Sequence, residues 1–226
     1  MQVLSTGFPT LFGKFVQPVE EKTFKSGNAC DIVVILFTLI SGKGDICTME
    51  LAILDWIQAH LRCGFLDAVL PAVSWTCNHG EIWIALAAVL LLIRRQRRYG
   101  LAVACGLILD LVSCNLLLKP LVGRIRPFAV NTAVELLVTP PLDASFPSGH
   151  TAASFAAVFA LKTAGSPLWK PALAVALVIA FSRLYLYVHW PSDVLGGALL
   201  GAAVGWAGAK IVEKAGRITA KRKAGL

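Results

Sequence analysis

The chain has 226 residues, 57% of them hydrophobic and 15% charged, with a net charge of +8. A length of this order suits one domain, and a soluble domain is nearer ~45–50% apolar and ~25% charged, so the composition excludes an ordinary soluble enzyme and points to an integral membrane protein. The positive charge is gathered at Arg94, Arg95, Arg97 and Arg98 and again at Arg217, Lys221, Arg222 and Lys223, with no basic, aromatic-interleaved domain to carry nucleic acid.

Residues 1–48 form an N-terminal extension unlike the rest. Its one apolar run, 32–40, is short for a spanning helix, and no basic stretch precedes a small-residue cleavage site closely enough for a secretory signal. Segment 50–62 places Leu51, Ile53, Leu54, Ile57 and Leu61 at spacings of three and four. That pattern predicts one apolar helical face, expected to lie on the membrane surface. Met49 is a candidate natural start, which makes 49–226 the functional domain.

Five segments then approach the ~20 residues that span a bilayer: 81–94, 101–118, 149–163, 171–188 and 193–212. Segment 65–76 is a weaker sixth, because it is short and holds Pro71. The expected fold class is therefore all-α, a multi-pass transmembrane bundle of five to six spans. Basic connections stay in the cytoplasm, which assigns the turns at 94–98 and 162–170 and the C-terminal tail to that side. Alternating spans then put 119–148 and 189–192 on the outer face. The six cysteines contain no CxxC pair, so a zinc site is not expected; Cys105 and Cys114 read as small core residues within an apolar run.

Three stretches at the outer face carry chemistry. The first runs from Lys119 to Arg126 and Pro127, with Arg124 between them. Cations on an outer face run against the positive-inside bias, and an anion held between them accounts for their presence. Guanidinium forks match phosphate oxygens in pairs. For Arg124, recruitment of anionic lipid headgroups is a competing explanation. The second stretch is Phe146, Pro147, Ser148, Gly149 and His150. Pro147 suits the first turn of a helix, and the N–H groups of Ser148, Gly149 and His150 then form an anion nest at the helix N-terminus. The third holds Ser182, Arg183, His189 and Asp193. Asp193 follows His189 by four residues, so its carboxylate can fix one imidazole nitrogen and leave the other free to attack. Arg183 precedes His189 by six residues in segment 171–188, which puts it about 9 Å below the expected helix end. A charge buried there is costly and usually faces a functional cavity.

Three or four cations, an anion nest and a His/Asp pair on one membrane face describe metal-free phosphoryl transfer through a phosphohistidine. No carboxylate cluster or Cys/His set at metal-ligand spacing accompanies them, and no cofactor is expected.

These residues resemble the type 2 phosphatidic acid phosphatase superfamily, whose pattern is K-x6-R-P, then P-S-G-H, then S-R-x5-H-x3-D. Lys119, Arg126 and Pro127 match the first part, Pro147 to His150 the second, and Ser182, Arg183, His189 and Asp193 the third. The resemblance covers about 81–226. It implies a helical bundle, usually of six spans in the lipid phosphatases, that needs no metal. It also implies roles: His189 attacks phosphorus, Asp193 orients it, and His150 protonates the leaving group and then helps water. Lys119, Arg126, Arg183, the Ser148 side chain and the Gly149 backbone hold phosphate oxygens. The implied substrate is a lipid phosphate or diphosphate, with undecaprenyl diphosphate favoured by an outward site and phosphatidic acid or phosphatidylglycerol phosphate as alternatives. A catalytically silent lipid-binding protein is the rival from another class, but it should have lost His150, His189 or Asp193, and all are present. A transporter would instead show broken or charged segments near the bilayer midplane.

Overall fold

The computed structural model describes residues 45–223, and among them every regular element is helical. The expectations for residues 1–44, including the run at 32–40, lie outside the described residues. Helix α1 is Asp45–Leu61, α2 Gly64–Trp75 and α3 Glu81–Leu92. A short 3₁₀ turn, Arg94–Gln96, leads into α4, Arg97–Asp110. The chain continues through a π-helical stretch, Leu111–Leu118, and a last turn, Lys119–Val122, closed by Gly123 at φ 59°. Next come α5, Pro127–Val130, an irregular connection, α6, Gly149–Ala164, α7, Trp169–Tyr185, and α8, Pro191–Lys223.

Helix α6 is the centre of the bundle. It packs on α4, α7 and α8, and its alanines 152, 156, 157 and 160 are essentially without exposed surface. Small side chains allow this density because they let neighbouring backbones approach. The closest approach is to α8, where a side chain on Gly201 would strike the carbonyl oxygen of Ala152 and one on Gly205 that of Ala156. Gly208 meets α4 in the same way, with the Gly106 nitrogen 2.6 Å from where its Cβ would stand. Helix α3 closes the other side of α6 through Trp83, whose indole N–H donates to Ser154 Oγ at 2.9 Å.

The bundle's outward faces stay apolar. Ile108, Leu116, Leu117, Leu177, Leu195 and Leu199 are all exposed. An apolar belt of this kind on a helical bundle is a lipid-facing surface. Two stretches, Arg94–Val130 and Pro191–Thr219, are long and apolar enough to cross a membrane; Gly64–Trp75 and Glu81–Leu92 are apolar but shorter. The segments expected to span are thus all helical, while two of them reach spanning length by that measure.

Three local readings gain detail or change. Segment 65–76 forms a helix in spite of Pro71. Helix α1 starts at Asp45, four residues before Met49. Its inward stripe is Glu50, Leu54 and Ile57, flanked by part-buried Leu51, Gln58 and Leu61, while Ile53 is turned outward. The stripe packs on α7 and on the turn that follows it, so the helix is part of the bundle. Finally, α7 ends at Tyr185 rather than 188. Leu186–Val188 fold back, with the Tyr187 and Val188 N–H groups donating to the Leu184 and Arg183 carbonyls, and Tyr187 adopts φ 60°. A bulky residue rarely takes that conformation. Here it is held by burial and by the Tyr187 hydroxyl donating to Asp55 Oδ1 at 2.6 Å.

Candidate active site

The four elements that carry the motifs meet at one end of the bundle. They are the end of the α4 extension, the start of α6, the end of α7 and the start of α8. The turns holding Arg94–Arg98 and Lys162–Lys170, and the C-terminal end of α8, lie at the other end by the same alternation. A cavity of about 1210 Å³ opens at the motif end. Lys119, Arg126, Gly149, His150, Arg183 and His189 line it.

His189 follows the folded-back turn and is almost wholly buried. Its Nε2 lies 3.2 Å from Arg126 Nη1. Arginine can only donate, so Nε2 is the unprotonated nitrogen and Nδ1 carries the hydrogen. Nδ1 points toward Asp193 Oδ2 at 3.5 Å, a long contact that forms no regular hydrogen bond. Burial first, and then the charges of Arg126, Arg183 and Lys119, hold the imidazole well below its usual pKa and keep it neutral.

Asp193 lies behind the histidine, outside the cavity lining, as the third residue of α8. Its Oδ2 accepts from the Trp190 N–H at 2.9 Å and from the Ser145 hydroxyl. Its Oδ1 accepts from Arg124 Nη1 at 2.6 Å. This overturns the headgroup explanation for Arg124, which is 8% exposed and bridges Asp193 and Glu50. The chain reverses at Gly123, and that turn aims the guanidinium inward over the Trp190 ring.

Arg183 is 3% exposed and lines the cavity. Because α7 stops two residues later, it lies in the last turn and not the expected ~9 Å below a helix end at 188. Its Nη1 donates to Ser74 Oγ on α2, its Nε has no partner, and it forms no ion pair with a carboxylate among the described residues. Lys119 and Arg126, by contrast, are bridged by Asp143: Lys119 Nζ binds Oδ2, and Arg126 Nη2 donates to Oδ1 at 2.7 Å. Burial alone would raise the Asp143 carboxyl, but the hydrogen bond and charge of Lys119, and then those of Arg126, outweigh it and hold the carboxyl at about 2.

The nest at α6 is narrower than expected. The helix starts at Gly149 with Ser148 as its N-cap, so Pro147 stands outside the first turn. The Ser148 N–H is already bound to the Asp193 carbonyl at 3.1 Å. Its hydroxyl faces Thr151 Oγ1 at 3.0 Å and does not line the cavity. The N–H groups of Gly149 and His150 are left for an anion, since the first turn has no intrahelical acceptors. A Cβ on Gly149 would stand 3.5 Å from Lys119 Nζ. His150 lines the cavity and its Nε2 lies 3.2 Å from Asn78 Oδ1.

Motif spacing thus located Lys119, Arg126, Gly149, His150, Arg183 and His189 in one cavity. Asp143, Glu50, Ser145, Ser74 and Asn78 had no such spacing and were missed.

Fold and cavity together define a helical membrane protein with a cationic, histidine-bearing pocket for an anion. The model of the PAP2 superfamily matches residues 98–217. The chain is 36% identical over 163 residues to the decaprenylphosphoryl-5-phosphoribose phosphatase of Mycobacterium tuberculosis, covering 69% of this chain and 86% of that one. It is 33% identical over 131 residues to the undecaprenyl-diphosphatase of Sulfolobus acidocaldarius, where the match spans 58% of this chain and 63% of that protein, just under two thirds of its length. The transmembrane PAP2 type phosphatidylglycerolphosphate phosphatase of Bacillus subtilis has a similar fold, with a TM-score of 0.65 at 21% identity over 82% of this chain and 96% of that one. The chain belongs to the PAP2 superfamily. It is, with the relatives so named, a membrane phosphatase acting on phosphate esters.

Proposed function

We propose that this protein removes the terminal phosphate from a lipid phosphate or diphosphate through a phosphohistidine on His189, without a metal. One observation carries the proposal: His189, with Nε2 unprotonated, lines a cavity in which the buried Arg183 has no carboxylate partner among the described residues. A phosphate there would supply that missing negative charge, displace Asp143 from Lys119 and Arg126, and come within reach of Nε2. Nε2 attacks phosphorus as the bond to the leaving oxygen breaks, and His150 gives that oxygen a proton. Water, deprotonated by His150, then cleaves the phosphorus–nitrogen bond and restores both histidines. Lys119, Arg126 and Arg183, with the Gly149 backbone, neutralise the charge that builds on the equatorial oxygens. Asp193 orients His189, and Ser148 supports the start of α6.

The cavity's inner wall, formed by Ile84, Ala87, Ala104, Leu107 and Ile108, suits an acyl or prenyl chain. Five helices, α3, α4, α6, α7 and α8, cross the bilayer, with α2 as the sixth, and the cavity opens on the extracytoplasmic side. Undecaprenyl diphosphate is the favoured substrate, because a compound of that kind is named for one relative. The relative matched over the larger share of both chains favours a second reading, a phosphate carried on a decaprenyl-linked sugar.

The test is phosphate release by detergent-purified protein and its His189→Ala variant. The substrates are undecaprenyl diphosphate, a decaprenyl-linked sugar phosphate, phosphatidic acid and phosphatidylglycerol phosphate. Release from one of these, lost in the variant and unaffected by EDTA, is the expected result. Full activity in His189→Ala, or loss on chelation restored by a divalent ion, would overturn the mechanism.

A further inference from the structure

Behind His189 lies a buried ion cluster of which the reaction above uses Asp193 alone. Arg124 stands between two carboxylates. Its Nη2 donates to Glu50 Oε2 at 2.6 Å, and its Nη1 donates to Asp193 Oδ1 and Ser192 Oγ, each at 2.6 Å. Glu50 Oε1 in turn accepts the Ser192 N–H at 2.8 Å. Glu50, Arg124 and Asp193 are 4%, 8% and 0% exposed, and none of them lines the cavity. Glu50 belongs to α1, outside the stretch 98–217 matched by the family model.

Two carboxylates sharing one guanidinium leave the cluster with one net negative charge. In a buried setting that charge acts strongly on a neighbour. The neighbour is His189 Nδ1, 3.5 Å from Asp193 Oδ2. When Nε2 bonds to phosphorus, the imidazole becomes a cation with its hydrogen on Nδ1. Without Glu50, the whole charge of Arg124 would fall on Asp193, and the cationic ring would face a neutral pair.

We propose that Glu50 and Arg124 are positioning residues for this reaction, with Glu50 sharing the Arg124 charge so that Asp193 keeps a negative charge for the phosphorylated His189. The proposal rests on His189 being the nucleophile. Because the cluster lies behind the ring, it acts on the chemical step and not on substrate capture.

The test measures kcat, KM and the amount of acid-labile phosphoenzyme for Glu50→Gln, Glu50→Asp, the double variant Glu50→Gln/Arg124→Gln, and His189→Ala. Folded protein is quantified in each by thermal unfolding. For Glu50→Gln, kcat should fall about 10–100-fold, the range seen when an outer partner of an oriented histidine is removed, while KM stays within about twofold of wild type. Glu50→Asp should recover part of kcat. The double variant restores the net charge and should turn over faster than Glu50→Gln. The proposal is overturned if Glu50→Gln keeps wild-type kcat, if its loss only tracks the unfolded fraction, or if the double variant is no faster than the single one. A dead His189→Ala beside a normal Glu50→Gln sinks this inference alone; an active His189→Ala sinks the nucleophile reading with it.

Discussion

At the scale of single residues, Asp143 is the informative side chain. Its carboxylate offers Lys119 and Arg126 two oxygens in the geometry that a phosphate would offer them. Substrate and Asp143 therefore compete for the same cations. Lys119 and Arg126 are largely buried, but Asp143 is half exposed, so solvent screens its hold on them toward that of a surface pair. Asp143→Asn should lower KM by roughly 2–5-fold, the free-energy range of such a pair, and an unchanged or higher KM would show that Asp143 supports the cations instead. Among the described residues Arg183 has no such competitor. Arg183→Ala should cost about 2–4 kcal/mol in kcat/KM, as for other transition-state donors, and an unchanged kcat/KM would give it a structural role only. The spacing K-x6-R-P, P-S-G-H and S-R-x5-H-x3-D made both arginines legible in the sequence. It could not show Glu50 or Asp143: Glu50 meets the site only because the turn at Gly123 aims Arg124 at α1, and Asp143 comes from the irregular connection before α6, and no periodicity encodes either.

The titrations also belong to this scale. His189 is held neutral in the folded protein, well below 6.5. The unfolded chain binds a proton there below about pH 6.5 and the folded chain does not, so stability falls as pH drops through that range. Asp143 behaves differently. Its folded value of about 2 lies below the usual 3.8, so its contribution is complete above pH 3.8 and is lost as pH falls toward 2. Thermal unfolding between pH 7.5 and 5 should therefore slope downward toward acid in wild type and less so in His189→Gln. Equal slopes would mean that His189 is protonated in the fold.

At the scale of elements, the site depends on how closely α6 and α8 approach, since one carries Gly149 and His150 and the other Asp193. Hydrophobic runs revealed both helices in the sequence. Their contact was not legible, because it is made by absent side chains: Gly201 and Gly205 leave room for the Ala152 and Ala156 carbonyls. Gly205→Leu forces backbone against side chain, where overpacking costs ~1–3 kcal/mol in a yielding core and more against a carbonyl. It should lower Tm and cut activity together. A variant with normal Tm and kcat would mean that α8 can slide without disturbing Asp193. The end of α7 shows the same limit of sequence patterning. Leu184 to Val188 read as a continued apolar helix, yet buried Tyr187 at φ 60° and its bond to Asp55 end the helix early. That early end brings Arg183 and His189 to one cavity.

At the scale of the whole molecule, the bundle separates its charges by kind. The phosphate-type cations sit at one end with a partner or a cavity, and the exposed Arg94, Arg95, Arg97 and Arg98 sit at the other. The positive-inside bias orients a chain by such exposed basic turns, not by total charge, so the cavity should open away from the cytoplasm. Leu142, fully exposed near the cavity mouth, and Gly216, exposed with open space around it on the C-terminal part of α8, report the two ends. In a variant with its six cysteines replaced, a Leu142→Cys change should react with a membrane-impermeant maleimide in intact cells. A Gly216→Cys change should react only after permeabilisation. The reverse pattern would turn the cavity to the cytoplasm and favour a lipid phosphate made on that side. Labelling of both sites in intact cells would mean that the two ends do not lie across a sealed bilayer.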